Sequence, residues 1–218
     1  MINKKSESAV SAAVIKRLPR YFRYLRMLLN ENKLRISSND LAELMGVTAS
    51  QIRQDLNCFG GFGQQGYGYN VTYLYGKISE ILGVNENYQA IIIGAGRLGQ
   101  ALAASPIFTK RGVEVCGLFD ISPEVIGKEV DGKKILHIDE VKHFVENNVV
   151  DIAVLTLPTP FAEEAVELVQ SLGIPGIWNF TSHDMNHIPG CTVQNVHMGD
   201  SLMMLCYDIR NLDNNNEV

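Results

Sequence analysis

The chain is 218 residues long, enough for one sizeable hydrophobic core or two modest ones. No window reaches the roughly 20 apolar residues of a membrane span, and the opening stretch MINKKSESAVSAAVIKRLPR has no signal-like apolar run, so we expect a cytoplasmic protein. The four cysteines lie far apart and form no CxxC pair, which argues against a zinc knuckle, any other metal site or a disulfide framework.

The net charge of −5 conceals a strong asymmetry along the chain. Residues 1–85 hold 11 Lys and Arg against 6 Asp and Glu, a net charge of +5, whereas residues 86–218 hold 8 against 18, a net charge of −10. Only the first segment is suited to a polyanion. We therefore predict two domains, a DNA-binding domain at 1–85 and an acidic domain at 86–218.

The first predicted helix lies within VIKRLPRYFRYLRMLLNEN. Tyr21, Leu25, Leu28 and Leu29 fall at helical spacing, with arginines between them. Pro19 is expected in the first turn of this helix, because its fixed backbone angle suits that position.

Two short helical patterns follow, and each opens with a capping signal. Ser37 precedes Asp40 by three residues, and Thr48 precedes Gln51 by three, while Gly46 supplies a turn between them. The pattern predicts a helix-turn-helix. Its expected core residues are Leu41, Leu44, Met45, Val47, Ile52 and Leu56, with the small Ala42 at the helix crossing.

The predicted helix-turn-helix, about residues 18–57, indicates where DNA would bind. In such a unit the second helix enters the major groove with its N-terminal residues at the base edges. Arg53 is the strongest candidate, because a guanidinium can bond both acceptors of a guanine. The expected contacts on this helix are Thr48, Ser50, Gln51, Arg53 and Gln54. A helical hairpin without a nucleic-acid role is the alternative.

The next stretch, FGGFGQQGYGYNVTYLY, alternates glycines with aromatic residues. The aromatics give short strands something to pack against, so we predict a tight β-hairpin, a wing at about 59–71. Its tip carries no charge, so polar or groove-shape contacts are expected there. The expected DNA contacts of the wing are Gln64, Gln65 and Tyr67.

The acidic segment opens with AIIIGAGRLG, an apolar strand that runs into Gly94, Gly96 and Gly99. This spacing is typical of a dinucleotide site, in which the helix N-terminus holds the pyrophosphate. A second strand, VEVCGLFD, ends in Asp120, whose carboxylate would accept hydrogen bonds from the ribose hydroxyls and repel a 2′-phosphate. The predicted ligand is therefore NAD(H), bound by Gly94, Ala95, Gly96, Arg97, Leu98, Gly99, Asp120 and Ile121.

Strand and helix patterns then alternate through KKILHI, IDEVKHFVENN, VDIAVLTLP, PFAEEAVELVQSLG and GIWNF. This rhythm predicts an α/β Rossmann domain, a doubly wound parallel sheet. Ligands bind such sheets at the carboxyl ends of the strands. Further pocket residues are therefore expected in LTLP and NFTS, namely Thr156, Leu157, Pro158, Asn179, Phe180 and Thr181.

The final segment, VHMGDSLMMLCYDIRN, predicts a helix at about 198–210. Met198, Leu202, Leu205 and Ile209 share one face, and neighbouring methionines widen it. So broad an apolar surface packs against something large. That partner is either the chain's own domain or a second subunit.

Taken together, the segments VIKRLPRYFRYL, RISSNDLAELMGVTASQIRQDL, FGQQGYGYNV, IIGAGRLGQAL, FDISPEVIGKEV, LTLP and GIWNF resemble, in order and spacing, the Rex redox-sensing transcriptional repressors. The likeness runs from about Ala9 to Asn211. It implies a winged-helix domain, a Rossmann domain, and a homodimer whose C-terminal helices are exchanged. It also implies binding to palindromic operator DNA and release by NADH.

The resemblance assigns further residues. Lys16 and Arg17 of KRLP are expected near DNA, and Arg17 matches a family arginine near the domain interface. Arg53 matches the recognition-helix arginine, and Phe180 a nicotinamide-side aromatic. Ser105 and His197 stand where the family's polar switch has a tyrosine and an aspartate, so Arg17, Ser105 and His197 form the expected switch and dimer set.

Other positions also depart from the family pattern. Arg97 replaces a commoner asparagine in the glycine loop and could neutralise pyrophosphate charge. The remaining departures are Cys58, at a position that is commonly aromatic, and Gln64 and Gln65, where basic residues are common.

A ligand-gated repressor fits this pattern better than a dehydrogenase does. NAD⁺ carries a positive charge on its nicotinamide ring, which an apolar pocket around Phe180 would penalise, so NADH should bind more tightly. A dehydrogenase would need a substrate domain and an acid/base group beside the nicotinamide. His183, His187 and His197 are the histidines near that place, but few residues remain for such a domain, so no catalytic residue is expected. Thiol sensing through Cys58 is a possible addition.

Overall fold

Two units with separate cores make up the chain, Met1–Asn85 and Glu86–Val218. The computed structural model describes residues 10–59, 63–64 and 68–215. Within that part of the chain no helix is long and apolar enough to cross a membrane.

The first unit combines helices with a small antiparallel sheet. Three strands pair in the order β1, β3, β2. A helix pair followed by such a sheet is a winged helix, as expected from the sequence. The elements are α1 (Ala12–Asn30), β1 (Arg35–Ile36), α2 (Ser38–Met45), α3 (Ala49–Asn57), β2 (Gly63–Gln64), β3 (Gly68–Asn70) and α4 (Val71–Leu82).

The first helix starts earlier than the sequence suggested. Ser11 caps α1, its side chain accepting from the amide of Val14, so Pro19 lies inside the helix and the prediction that placed it in the first turn is wrong. An interior proline removes one helical hydrogen bond and costs about 3 kcal/mol. Buried Leu18 and Tyr21, on either side of the proline, anchor the helix in the core and offset this cost.

The caps predicted for the helix-turn-helix are confirmed. Ser37 Oγ accepts from the amide of Asp40 at 3.1 Å, and Thr48 Oγ1 accepts from the amide of Gln51 at 3.1 Å. Gly46 ends α2 in the left-handed region, with φ 60°. Most of the predicted core is buried, but Leu44 is 37% exposed because it lies on the outer face of α2, so its assignment to the core is wrong.

The wing is shorter than the glycine-rich stretch suggested. β2 pairs with β3, Gly63 opposite Tyr69, and β3 also pairs with β1, a strand that we did not predict. Val71 does not extend the hairpin; it begins α4, because the side chain of Asn70 caps that helix by accepting from the amide of Tyr73 at 2.9 Å. The wing-tip residues Gln65 and Tyr67 lie outside the described residues, and of Gln64 only the backbone is described.

The second unit is built on one seven-stranded sheet in the order β10, β9, β8, β4, β5, β7, β6. All pairs are parallel except β6 with β7. The elements are β4 (Tyr88–Ile93), α5 (Arg97–Ala103), β5 (Val113–Asp120), β6 (Glu129–Val130), β7 (Lys133–His137), α6 (Val141–Asn147), β8 (Ile152–Leu155), α7 (Ala162–Ser171), β9 (Gly176–Asn179), β10 (Thr192–Asn195) and α8 (Met198–Asn215).

This sheet confirms the predicted α/β alternation and adds two strands to it. β6 has two residues, and β10 alternates exposed and half-buried positions in TVQN, so neither has the apolar run that marks a buried strand. Four of the six residues of β4 and three of the four residues of β8 are buried and apolar. These strands position the loops at their carboxyl ends.

The last helix, α8, presents its apolar residues to the surface. It extends to Asn215, five residues past the predicted end. Its large apolar side chains, from Met198 to Leu212, are 51–65% exposed. Of the two expectations for this helix, packing on the chain's own domain is not what the structure shows.

Candidate nucleotide site and DNA-binding surface

The glycine loop lies at the point where the strand order of the sheet reverses. From β4 the chain continues to β5 and β7 on one side of the sheet, and then to β8, β9 and β10 on the other. The reversal point of an open parallel sheet leaves a crevice at the carboxyl ends of its strands, where ligands bind. The loop Gly94–Gly96 connects β4 to α5 at this crevice.

The three glycines of the loop have different surroundings. Gly94 has φ 96°, in the left-handed region that favours glycine. A Cβ on Gly99 would lie 2.2 Å from the Gly94 carbonyl oxygen, so α5 packs tightly on the loop. A Cβ on Gly96 would meet nothing within 4 Å. Gly96 is therefore the open side of the loop, where a ligand can approach the backbone.

The remaining loop residues contribute in different ways. Ala95 is fully buried, so only its backbone can contact a ligand, whereas Arg97 is exposed at the first position of α5 and Leu98 is half-buried. The first amide groups of a helix have no partner within it and can bond an anion. An exposed guanidinium next to them adds positive charge to this edge of the crevice.

Two more strands contribute residues to the crevice. Asp120 ends β5, the strand next to β4, and its Oδ1 accepts from the amide of Ser122 at 2.8 Å. That bond fixes the carboxylate at the strand end, and the following Ile121 is 58% exposed. On the other side, Thr156 follows β8 and its hydroxyl donates to the Gly94 carbonyl at 2.6 Å. This hydroxyl holds the glycine loop in place.

The far end of the crevice has an aromatic wall. Phe180 is half-buried and packs edge-on against Trp178, with ring centroids 4.7 Å apart. Leu157 is half-buried and Pro158 is exposed, both in the loop after β8. These side chains give the crevice an apolar end opposite the carboxylate of Asp120.

The side chain of Asn179 is bonded within its own domain, and the assignment of Asn179 as a cofactor-binding residue stays a prediction. It is fully buried, and its amide donates to Asn195 Oδ1 and to the His183 carbonyl, each at 2.8 Å. Its own Oδ1 accepts from the backbone and hydroxyl of Thr181. A buried amide whose donors and acceptor are used in this way supports the pocket from behind. Thr181 is itself buried, and its contact with a ligand likewise stays a prediction.

The three switch candidates are bonded to separate partners. Ser105 lies just past α5, beside a cavity of about 530 Å³ lined partly by Phe108 and Val113, and its Oγ accepts from the amide of Ile107. His197 lies just before α8, and its Nε2 is 2.7 Å from a carboxylate oxygen of Asp184. Arg17, in the first unit, forms an ion pair with Asp55 of α3.

The DNA-facing candidates on α3 divide into free and occupied side chains. Thr48, Ser50, Arg53 and Gln54 are exposed, as is Lys16 on α1. Arg53 Nη1 donates to Ser38 Oγ at 3.0 Å, which leaves the rest of the guanidinium available. Gln51 is half-buried, and its side-chain amide donates to the carboxylate of Asp55 on the same helix at 2.7 Å. Cys58 caps the end of α3 and is exposed.

Asp55 is a fully buried functional residue that was not predicted from the sequence. Arg17 donates to it twice, Nε to Oδ2 and Nη2 to Oδ1, both at 2.7 Å, and Tyr21 donates its hydroxyl at 3.0 Å. Burial favours the protonated form of Asp55, but the hydrogen bonds from its three neighbours outweigh burial and lower its pKa below the usual value. The sequence contained one sign of this role, because an acidic residue is unexpected in the middle of a helix that is predicted to bind DNA.

A second arginine of α1 is also used inside the unit. Arg20, one turn after Arg17, donates to the carbonyl of Met45 at the end of α2. Arg17, which was expected near DNA, and Arg20 therefore hold the two helices of the helix-turn-helix against α1.

Both units of the chain match known proteins. The family model described as a putative DNA-binding protein N-terminus matches residues 9–57, and one described as a CoA binding domain matches residues 85–183. A redox-sensing transcriptional repressor Rex of Caldicellulosiruptor saccharolyticus is 50% identical over 209 residues, which are 96% of this chain and 94% of the relative. One of Clostridioides difficile is 48% identical over 198 residues, 91% of this chain and 94% of the relative.

The chain belongs to the Rex family of redox-sensing transcriptional repressors.

Solved structures agree with this membership of the Rex family. RSP in complex with beta-NAD+ and operator DNA has a TM-score of 0.87 and 45% identity, with 96% of this chain and 97% of that chain covered. RSP in complex with beta-NADH has a TM-score of 0.87 and 42% identity, with 96% and 99% covered. The resemblance and the fold class predicted from the sequence are confirmed. Because the Rex relatives are repressors, the chain is a regulator and not an enzyme, and no catalytic role is assigned to His183 or His187.

Proposed function

We infer that this protein is a repressor that binds operator DNA through its winged helix and is released when NADH occupies the crevice of its Rossmann unit. The observation that carries this inference is the coverage of 96% of the chain by a Rex repressor of 50% identity and by RSP with beta-NAD+ and operator DNA. A dehydrogenase with an accessory helical domain would share only the second unit. The proposed action on operator DNA supports a cytoplasmic location.

The crevice accounts for a preference for NADH. Gly96 and the first amide groups of α5 suit a pyrophosphate, and Asp120 suits an unphosphorylated ribose, because its carboxylate repels a 2′-phosphate. The apolar end around Phe180 disfavours the positively charged ring of NAD⁺. NADH, which has a neutral ring, therefore binds more tightly than NAD⁺.

We further propose that the protein is a homodimer held together by α8. The exposed apolar side chains of this helix need a cover, and the second copy of a symmetric dimer provides one. A dimer also presents two recognition helices to half-sites about 34 Å apart, one turn of DNA, which accounts for a palindromic operator. Switching occupancy from about 99:1 to 1:99 requires NADH to prefer the released state by roughly 5.5 kcal/mol in total.

The decisive experiment is a fluorescence anisotropy titration of a palindromic duplex, selected by the wild-type protein from a random-sequence pool. NADH is expected to release the duplex at concentrations at which NAD⁺, NADPH and CoA do not. CoA is included because a CoA binding domain model matches residues 85–183. Release by none of these ligands contradicts the gating mechanism, and release by CoA alone assigns the crevice to a different nucleotide.

Asp120 determines the preference for NADH over NADPH. Replacing Asp120 with asparagine removes the charge that repels a 2′-phosphate but keeps the size of the side chain. We expect the ratio of the two release concentrations to fall by about tenfold, roughly 1.4 kcal/mol, with operator affinity unchanged. Glu124→Gln, an exposed carboxylate four residues further on, is the matched control and should leave the ratio unchanged. An unaltered ratio in the Asp120 variant contradicts its role at the ribose.

The dimer is tested on the apolar face of α8. Leu205→Asp places a charge where a buried leucine is expected to contribute about 1.5–3 kcal/mol, so the dimer dissociation constant should rise at least tenfold by sedimentation analysis. Ser201→Asp adds the same charge at a polar position of the same helix and serves as the control. Equal dissociation constants for the two variants would mean that α8 is not the subunit contact.

A further inference from the structure

The buried carboxylate of Asp55 is the point at which three elements of the DNA-binding unit meet. It is 0% exposed, yet it lies on α3, the helix that carries the DNA-facing candidates. It receives two hydrogen bonds from Arg17 and one each from Tyr21 and Gln51, at 2.7–3.0 Å. A buried carboxylate that receives four hydrogen bonds is fully satisfied, and removing Arg17 leaves its charge without a compensating cation.

The geometry of these bonds fixes the direction of α3. Arg17 bonds the carboxylate through two nitrogens, an arrangement that sets both distance and orientation, and Tyr21 reaches the same group from the next turn of α1. Gln51 reaches it from one turn earlier on α3 itself. Rotation of α3 about its own axis would break these bonds. The same rotation would turn Ser50 and Arg53, which lie on the outer face of α3, away from their present direction.

The two hydrogen bonds from Arg17 to Asp55 leave few of the guanidinium's donors available to another anion. Its guanidinium is paired with Asp55, and its side chain is 34% exposed, whereas the preceding Lys16 is exposed. A cation that is already paired with a carboxylate adds little net attraction for a phosphate. Lys16 is therefore the phosphate candidate of this pair.

We propose that Asp55 is a positioning residue that holds the recognition helix α3 in its DNA-reading orientation on α1, and that Arg17 acts on DNA affinity through Asp55 and not by contact with phosphate. This proposal rests on the DNA-binding function proposed above, and it adds a determinant of operator specificity that itself touches no DNA.

Removal of the Asp55 charge distinguishes positioning from simple electrostatics. Asp55→Asn takes a negative charge away from a DNA-binding helix, so electrostatics alone predicts tighter binding to any DNA. Positioning predicts at least tenfold weaker binding to the operator duplex and binding to a random-sequence duplex within twofold of wild type. Operator binding that is equal to or tighter than wild type overturns the proposal.

Two single-charge variants of α1 test the role of Arg17. For Arg17→Gln we expect at least tenfold weaker operator binding, with the affinity for random duplex and its salt dependence unchanged. Lys16→Gln is the matched control, since loss of one phosphate contact weakens both duplexes and reduces the slope of log affinity against log salt by about 0.9. A slope reduced to the same extent in Arg17→Gln makes Arg17 a phosphate contact and overturns the proposal.

The double variant tests whether the two residues act as one unit. If Arg17 acts only through Asp55, Arg17→Gln with Asp55→Asn together loses no more than about twofold beyond the weaker-binding single variant. Losses that multiply show independent roles and contradict the proposal. NADH binding, which belongs to the other unit, should stay within twofold of wild type in all variants, and retained affinity for random duplex is the control that the first unit is folded.

A measurement without DNA separates this proposal from the repressor function. Amide hydrogen exchange of the peptide covering 49–57 should be at least tenfold faster in Asp55→Asn than in wild type, with α4 of the same unit unaffected. Unchanged exchange there refutes the positioning role. Wild-type protein that shows no preference for any duplex would instead refute the repressor function, while the exchange result would still decide whether Asp55 orders α3.

Discussion

Replacing Gly96 with alanine is expected to weaken NADH binding at least 100-fold while leaving the fold intact. A Cβ at this position meets no protein atom within 4 Å, and the backbone has an ordinary φ of −71°, so the protein accommodates alanine. The added methyl group would occupy the space through which a pyrophosphate approaches the backbone. Calorimetric titration of NADH gives the affinity, and thermal unfolding gives the stability.

Gly99→Ala provides the contrast. There the Cβ would lie 2.2 Å from the Gly94 carbonyl and 2.9 Å from the Thr156 hydroxyl, so the loop must shift, and overpacking of this kind costs about 1–3 kcal/mol of stability. Gly99→Ala should therefore lose both stability and NADH binding, whereas Gly96→Ala loses only binding. Gly76→Ala, at an open helical position of the first unit, should leave NADH binding unchanged and should not lower stability, because alanine favours a helix more than glycine does. Normal NADH affinity in Gly96→Ala would show that the nucleotide does not cross this loop.

Replacing Arg53 with alanine is expected to weaken operator binding about 10- to 100-fold, because one bidentate base contact contributes about 1–3 kcal/mol of discrimination. Arg53 is exposed on α3, and its bond to Ser38 leaves most of its donors free. Anisotropy with operator and random-sequence duplexes measures the specific and non-specific parts. NADH affinity should not change.

Two control variants separate base reading from charge at this position. Arg53→Lys keeps the positive charge but cannot make the two parallel hydrogen bonds, so it should lose operator preference and retain affinity for random-sequence DNA. Ser38→Ala removes only the intramolecular partner of Arg53 and should cost less than either arginine variant. Full operator preference in Arg53→Lys would assign base reading to other residues of α3 or to the wing.

Features encoded by neighbouring residues were predictable from the sequence. The caps at Ser37 and Thr48 and the turn at Gly46 depend on residues three or fewer positions apart, and all three are present. The glycine loop is similar, because its spacing follows from a strand, a turn and a helix that are consecutive in the chain. The strand ends that carry Asp120 and Phe180 were predictable from the rule that parallel strands meet at one edge.

Features that depend on distant residues were not predictable. Arg17 was expected near DNA, and Arg20 was one of the arginines noted between the apolar positions of the first helix, but their partners Asp55 and Met45 are 38 and 25 residues away in the chain. The start of α4 was missed because the glycines and aromatics before it favour a hairpin, whereas the cap at Asn70 ends that hairpin.

In the candidate pocket, too, a contact between distant residues could not be predicted from the sequence. Asn179 stands at the end of a parallel strand, where ligand contacts are expected, and the sequence offers no sign that its amide is used elsewhere. Its partner is Asn195, in a strand that pairs beside it but has no apolar run of its own. Position along the chain therefore identified the right loop, while the burial of one side chain within it depended on the tertiary structure.

The buried pair of Asn179 and Asn195 has a mechanical consequence. The Asn179 side chain donates to Asn195, and the amide of Val196 donates to the Asn179 carbonyl, both at 2.8 Å. Phe180 is the next residue on one strand, and α8 begins two residues after Val196 on the other. A nucleotide that shifts the backbone at Asn179 and Phe180 must therefore either move the first turn of α8 with it or break buried hydrogen bonds at about 1–3 kcal/mol each. If α8 forms the subunit contact of the proposed homodimer, the shortest route from a nucleotide at Phe180 to the second subunit is thus a few peptide units, and it does not pass through the core of the sheet.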